Sequence, residues 1–196
     1  MPVKADREYR SSVQFRAADG EDYIVEGYAT TFNDPYVLYT FDGVDYKEQI
    51  DRHAFDEAKM NDVIMQYDHE GMVFARQKNG TLQLNADDHG LHVRADLSST
   101  QASRQMWEAI KTGLVSEMSF AFTVTEDAYN SDAKTRTITK IKKVYDVSAV
   151  SIPANPSTEI SARSYFDGVI EAEKAERQRA EAHERQKAKI RLLCNL

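Results

Sequence analysis

The chain has 196 residues, of which 41% are hydrophobic and 29% charged, and its formal net charge is −7. This balance is typical of a folded domain of ordinary size, and no apolar run approaches the roughly 20 residues that cross a bilayer. The single cysteine, Cys194, excludes an internal disulfide, and the first residues lack the apolar stretch of a secretory signal. We therefore expect a cytoplasmic enzyme or assembly protein without membrane contact. An acidic chain is also unsuited to direct nucleic-acid binding.

The charge is unevenly distributed along the chain. Residues 163–196 hold 8 basic and 6 acidic residues, whereas residues 1–162 hold 17 and 26. From about Phe166 the sequence is dominated by strong helix formers. We therefore predict a folded domain over 1–162 and a charged helical tail over 163–196. The tail is either a solvated helix or a docking helix that orders on a partner, with an apolar end formed by Ile190, Leu192, Leu193 and Leu196.

The first third of the chain predicts strands. β-branched and aromatic residues favour strands over 13–16 and 23–32, and a short extended piece over 46–50. Residues 52–60 have a helical pattern. This part of the chain therefore indicates a β-rich body with one short helix.

The clearest hairpin follows. Apolar and polar residues alternate over 82–86 and again over 91–97, with a turn at 87–90 between them. Ser98 and Ser99 are good N-cap residues for a helix that runs to about Lys111. A β-hairpin and a helix are therefore predicted in succession.

Two long β-rich segments complete the predicted body. They cover 114–126 and 135–152, with a polar loop over 127–134 between them. The sequence Pro153-Ala154-Asn155-Pro156 stops the second segment.

His69 ends the apolar run 63–68, where a segment with the character of a buried strand meets Glu70-Gly71. An imidazole at a strand end beside the core is held rigidly and still reaches a substrate, as a general base must. The alternative is a surface histidine in a loop, which this local pattern taken alone favours.

Ser119 lies in a segment whose even positions, among them Met118, Phe120 and Phe122, are bulky. In a regular strand its side chain is on the opposite face, beside the small Ala121, which leaves room for a substrate backbone. The alternative is an ordinary half-buried strand.

Asp146 is embedded in an otherwise apolar strand, so its carboxylate needs a partner. A histidine would satisfy it. Ser119, His69 and Asp146 on three separate segments can then form a nucleophile, a base and an orienting group, because such triads are defined by geometry and not by chain order.

A metal hydrolase that uses His69, His89 and His92 is a weaker alternative. Residues three apart on a strand, such as His89 and His92, point to opposite faces. We therefore predict no metal site and no cofactor.

The order of segments over about residues 20–160 resembles the prohead maturation proteases of tailed bacteriophages, relatives of herpesvirus assemblin. No single matching piece is specific to this family, but the joint order and spacing of all the pieces is specific. The matching pieces are Gly27-Tyr28-Ala29-Thr30-Thr31-Phe32, Glu48-Gln49-Ile50, Ala54-Phe55, Met65-Gln66-Tyr67-Asp68-His69, Gly80-Thr81-Leu82, Asp88-His89-Gly90-Leu91, Gly113, Ser119-Phe120-Ala121-Phe122, Val147-Ser148 and Pro153-Ala154-Asn155-Pro156.

The resemblance implies a serine endopeptidase with an α+β fold, in which a mainly antiparallel, β-barrel-like core is surrounded by helices. The family's catalytic histidine falls on His69, its nucleophile on Ser119 and its acidic residue on Asp146. The family usually carries glutamate at the last position, so Asp146 is a departure with a shorter reach. A second departure is Arg52-His53, where the family commonly has Pro-Gly.

The resemblance also implies the substrates. These are the scaffolding segment of the major capsid protein, or a separate scaffold protein, cleaved inside the assembling prohead in the host cytoplasm, together with the enzyme itself. Self-association into a homo-oligomer stays open. The competing hypothesis is a non-enzymatic, scaffold-like assembly protein, in which His69 and Ser119 would lie far apart.

Overall fold

A computed structural model describes residues 7–12, 15–151 and 156–194. The chain divides into two compact units, Met1–Glu159 and Ile160–Leu196. Within the described ranges, no helix is both long enough and apolar enough to cross a membrane.

Strands make up most of the first unit, and the chain also contains two α-helices and a single 3₁₀ turn at Gln77–Asn79 among its described residues. The elements, in chain order, are β1 (Glu8–Ser12), β2 (Phe15–Ala17), β3 (Ile24–Thr31), β4 (Tyr36–Phe41), β5 (Val44–Ile50), β6 (Ile64–Tyr67), β7 (Glu70–Arg76), β8 (Leu82–Ala86), β9 (Gly90–Asp96), α1 (Gln101–Lys111), β10 (Glu117–Asn130), β11 (Thr135–Val150) and α2 (Pro156–Cys194).

The larger sheet is built around the long antiparallel pair β10 and β11. Its strand order is β1-β10-β11-β5-β4, and β6 joins it by pairing with β11 and β7. Because β10 occupies one edge of β11, the other edge takes β5 and β6 in succession, both parallel to β11. β5 pairs with residues 135–138 and β6 with residues 146–149. This arrangement brings the end of β6 to the same part of β11 that pairs with the start of β10.

The smaller sheet has the order β2-β3-β9-β8 and contains the predicted hairpin, β8 and β9. Leu91, Val93 and Ala95 of β9 are fully buried, which confirms the face predicted from the alternation. The strands therefore form two open sheets, and the described part of the chain contains no closed barrel. The α+β class is confirmed, whereas a core surrounded by helices is not found: α1 is the one helix that lies wholly within the described residues of the first unit.

Helix α1 begins slightly later than predicted. Its N-cap is Thr100, whose hydroxyl accepts the backbone N–H of Ser103. Met106, Trp107 and Ile110 form its buried face, and Gly113, with a φ of 75°, follows its last turn. The helix is thus placed by one apolar stripe packed against the sheets.

The helical prediction for residues 52–60 is wrong, because the chain forms a series of turns there. The Asp51 carboxylate accepts the backbone N–H of His53, and the carbonyl of Ala54 accepts the N–H of Ile141 in β11. Ala54 and Phe55 are buried. Pairing with β11 therefore takes the backbone groups that a helix would have used.

The tail is helical, as predicted, but the helix starts at Pro156, seven residues before the predicted start at 163. Proline suits a first helical position. Of the predicted strand end at 153–156, residues 153–155 lie outside the described residues, as does Leu196 of the predicted apolar end. Ile190 is 53% exposed.

Candidate active site

His69 lies in the two-residue turn that joins β6 to β7. Tyr67 pairs with Glu70 across it, and Asp68 and His69 have φ values of 46° and 61°. Two consecutive positive φ values are typical of a type I′ turn, and aspartate and histidine are among the few non-glycine residues that adopt them.

The turn is fixed to the end of β11. The backbone N–H of Asp68 donates to the carbonyl of Ala149 over 3.0 Å. The Asp68 carboxylate in turn accepts the backbone N–H and the hydroxyl of Ser151, over 3.2 and 3.3 Å. These contacts therefore fix the position of His69 relative to the end of β11.

Ser119 lies on β10, in a stretch where the pairing with β11 is regular. Ser119 is opposite Ser148, and Ala121 is opposite Asp146. Met118 and Phe120 on the other face are buried, and Ser119 itself is only 1% exposed. The alternation predicted from sequence thus separates the small side chains from the core side chains, although both faces are covered.

The imidazole of His69 joins the other two predicted residues. Its Nδ1 lies 2.5 Å from Oδ1 of Asp146, and its Nε2 lies 2.7 Å from Oγ of Ser119. A carboxylate only accepts hydrogen bonds, so Nδ1 carries the proton and Nε2 is left to accept the serine O–H. This tautomer is the one that a general base needs in order to activate a hydroxyl nucleophile.

The three groups are shielded from water. The side chains of His69 and Asp146 are 5% and 6% exposed. A positive imidazolium in such a place is stabilised by the adjacent carboxylate more strongly than it would be in water. The arrangement can therefore take a proton from Ser119 during attack on a carbonyl group and return it to a leaving group.

Two further side chains touch this group, and the sequence assigned a role to neither, although Ser148 lies in the quoted piece Val147-Ser148. Ser148 donates its hydroxyl to Asp146 Oδ1 over 2.9 Å. The ring of Tyr9, on β1, meets the His69 ring edge to face, with centroids 4.7 Å apart. The alternation of β11 could have found Ser148, which is two residues from Asp146 and hence on the same face. No local signal marks Tyr9.

The position of Tyr9 depends on how β1 is attached. β1 pairs with β10 from Glu8 opposite Phe122 to Ser12 opposite Met118. Burial raises the pKa of the Tyr9 hydroxyl above its ordinary value, and the charge of Asp146 adds to this against the opposing charge of Arg7. At neutral pH the Tyr9 hydroxyl therefore keeps its proton, and the ring that packs against the imidazole is uncharged.

Buried ion pairs hold β1 in place through the side chains on its other face, opposite to that of Tyr9. Arg10 donates to both carboxylate oxygens of Glu48, over 2.5 and 2.8 Å, and Arg136 donates to Glu48 and to Glu8. Asp127 and the Tyr36 hydroxyl complete this cluster. Burial opposes the charge of Arg10, but the charge and hydrogen bonds of Glu48, together with the charges of Tyr36 and Glu8, outweigh it and raise the pKa of that guanidinium. We call these six residues the buried charge cluster.

The remaining candidates do not join the site. His89 and His92 each pack against the ring of Tyr28, and no three metal-ligating side chains converge anywhere in the described residues. Arg76, which follows His69 closely in the chain, forms a two-point ion pair with Asp62, with donor–acceptor distances of 2.7 and 2.6 Å. The Ser119 and His69 side chains are in contact, contrary to what the non-enzymatic hypothesis predicts.

Comparison with known proteins gives two matches. A family model described as Caudovirus prohead serine protease matches residues 11–169. A curated relative, the prohead protease of Enterobacteria phage HK97, is 30% identical over 155 residues, which is 77% of this chain and 64% of the relative. This chain therefore aligns with somewhat less than two thirds of that relative's length. No solved structure matches.

Proposed function

Because the chain belongs to the Caudovirus prohead serine protease family, we propose that it is a serine endopeptidase that cleaves capsid or scaffold proteins during prohead maturation. The observation that carries the proposal is the continuous contact from Ser119 through His69 to Asp146, with heavy-atom distances of 2.7 and 2.5 Å. Such a nucleophile, base and carboxylate perform acyl transfer on unrelated folds.

The proposed reaction begins with attack of Ser119 Oγ on the scissile carbonyl carbon. His69 Nε2 accepts the serine proton as the new C–O bond forms, and the imidazolium then donates this proton to the leaving amine as the C–N bond breaks. Water hydrolyses the acyl-enzyme by the same route in reverse, with His69 again the base. Asp146 holds the imidazole and stabilises its positive charge without becoming protonated itself.

The proposed substrates are the scaffolding segment of the major capsid protein, or a separate scaffold protein, inside the assembling prohead. Family membership supports this assignment. We also propose that the domain over 1–162 carries catalysis, and that the tail over 163–196 serves for docking to scaffold or as a site of self-cleavage. Residues 171–190 of α2 are almost all exposed, so this part of the helix is open to partners and, where it frays, to proteolysis.

The test is co-expression of the full chain with the capsid protein, followed by intact-mass measurement of the capsid protein. We expect trimming by the wild type and none by Ser119→Ala. Ser116→Ala is the matched control, because Ser116 precedes β10 and is exposed, and it should trim normally. Trimming by Ser119→Ala at near the wild-type rate would remove Ser119 as the nucleophile.

A second measurement separates the proposed enzyme class from a metal hydrolase. A serine-directed phosphonate should add its mass to the wild type and to Ser116→Ala, but not to Ser119→Ala. Loss of trimming with a chelator, without phosphonate labelling, would favour the metal hydrolase instead.

A further inference from the structure

The hydroxyl of Ser148 is placed at the carboxylate that orients His69. Ser148 is 1% exposed, and its Oγ donates to Oδ1 of Asp146 over 2.9 Å. This is the same oxygen that accepts Nδ1–H of His69. Two donors from different elements therefore converge on one oxygen, one from β11 and the other from the turn between β6 and β7.

We propose that Ser148 is a positioning residue that fixes the Asp146 carboxylate for its hydrogen bond to His69; this inference rests on the proposed function. The terminal torsion of an aspartate is broad and roughly two-fold, so one hydrogen bond alone leaves the carboxylate plane free to rotate. The second donor removes that freedom. The hydrogen bond from Ser148 also offsets part of the negative charge on Oδ1. The carboxylate therefore stabilises the imidazolium less strongly than it would without Ser148.

The geometry argues against a nucleophilic role for Ser148 itself. Ser148 lies directly opposite Ser119 in the pairing of β10 and β11, so both hydroxyls are on the face that His69 covers. The base nitrogen, Nε2, is paired with Ser119, whereas the Ser148 hydroxyl is bonded to the carboxylate. Only Ser119 can transfer its proton directly to the base.

The charged and titratable groups around His69 come from four elements. Asp146 belongs to β11, and Tyr9 to β1, with Arg7 close by, stacked on the ring of Tyr145. Glu117 is two residues from Ser119 on β10 and thus on the same face, and Asp68 precedes His69 in its turn. Replacing Ser148 by alanine leaves all of these charges in place, so a change in pH dependence reports on the lost hydroxyl.

The experiment compares Ser148→Ala, Ser148→Thr and Ser103→Ala. Ser103 is the matched control, because it is a fully buried serine that donates to the carbonyl of Phe74, outside the site. We expect Ser148→Ala to lower kcat by about tenfold, the scale of one hydrogen bond to a charged group. The acid limb of kcat/KM should also move, because the charge of Asp146 Oδ1 is no longer shared with the Ser148 hydroxyl. Ser148→Thr keeps a hydroxyl at this position, so its kcat and its pH dependence of kcat/KM should match those of the wild type.

A second readout does not need activity. In the Ser119→Ala background, the downfield proton resonance of His69 Nδ1–H should shift when Ser148 becomes alanine and stay unchanged when Ser103 does. An unchanged resonance and pH profile in Ser148→Ala would overturn the proposal, as would equal changes in Ser103→Ala. If the wild type cleaves nothing, the proposed function fails, but the resonance still decides the role of Ser148.

Discussion

Asp146 lies diagonally across from Ser119, because Ala121 is its direct partner in the pairing of β10 and β11. Diagonal neighbours in an antiparallel pair are about 7–8 Å apart, too far for a direct hydrogen bond. An imidazole with a hydrogen bond at each nitrogen fills this gap, as the 2.5 and 2.7 Å contacts of His69 do. The register of the sheet and the position of one turn therefore set the geometry of the site.

Asp146→Asn should cause a large but incomplete loss of capsid trimming, by about 10²- to 10⁴-fold in rate. The amide of the new asparagine has one accepting oxygen and one donating nitrogen, whereas both carboxylate oxygens accept. It therefore favours an imidazole in the wrong tautomer or orientation. Single-turnover cleavage of a capsid-derived peptide measures the rate. The control is Asp62→Asn, which breaks the exposed pair with Arg76 and should leave the rate unchanged. A normal rate in Asp146→Asn would assign the third role to another residue.

Tyr9→Ala should lower kcat/KM by between about twofold and tenfold, the range expected from the loss of one aromatic pair. The Tyr9 ring packs edge-on against His69, and its removal lets the imidazole turn away from Ser119. Tyr9→Phe keeps the ring and should retain nearly full activity. If Tyr9→Phe is as slow as Tyr9→Ala, the hydroxyl and not the ring is what matters.

Patterns in the sequence predicted the elements that have a strong local signal. The alternation of β8 and β9 and the position of His69 just after the end of β6 are confirmed. β1, β4 and β7 were not predicted. β7, for example, begins with Glu70-Gly71 and carries exposed Met72 and Val73, so neither periodicity nor polarity marks it. The buried charge cluster was not predicted either, because its members come from five strands and meet only when the sheet is formed.

Glu48→Gln should destabilise the protein by about 3–5 kcal/mol, because it removes the fully buried one of the two carboxylates that Arg10 and Arg136 share. Urea unfolding followed by circular dichroism measures this change. Since the ion pairs of Arg10 add to the backbone pairing that holds β1 on β10, protection of β1 from proteolysis should fall as well. The exposed pair of Arg76 and Asp62 offers a matched comparison, and Asp62→Asn should leave the unfolding midpoint unchanged. Equal midpoints for Glu48→Gln and the wild type would mean that the cluster adds nothing to stability.

Gly90→Ala should disrupt the pairing of β3 with β9. A Cβ atom at Gly90 would lie 2.0 Å from the carbonyl oxygen of Thr30, which is backbone and cannot rotate away. The two strands must therefore separate locally, and we expect a loss of at least about 2 kcal/mol in the free energy of unfolding. Gly168→Ala is the matched control, since it lies in α2 with open space around it and should be neutral or slightly stabilising. An unaltered unfolding midpoint for Gly90→Ala would show that the strands approach less closely at this point.

Stability should fall in acid, and Glu8 should account for part of the loss. Burial acts to raise the pKa of Glu8, but the hydrogen bonds and charges of Arg136 and Arg10 outweigh it and hold the pKa below the ordinary value of 4.5. A lowered pKa in the folded state means that Glu8 stabilises the protein above about pH 4.5 and that this contribution is lost as the pH falls through the folded-state value. Urea midpoints measured from pH 7 to pH 3 should therefore decline less steeply below pH 4.5 in Glu8→Gln than in the wild type. Asp19→Asn, which changes a carboxylate that is 93% exposed, should follow the wild-type slope, and a Glu8→Gln slope equal to both would remove Glu8 from the acid response.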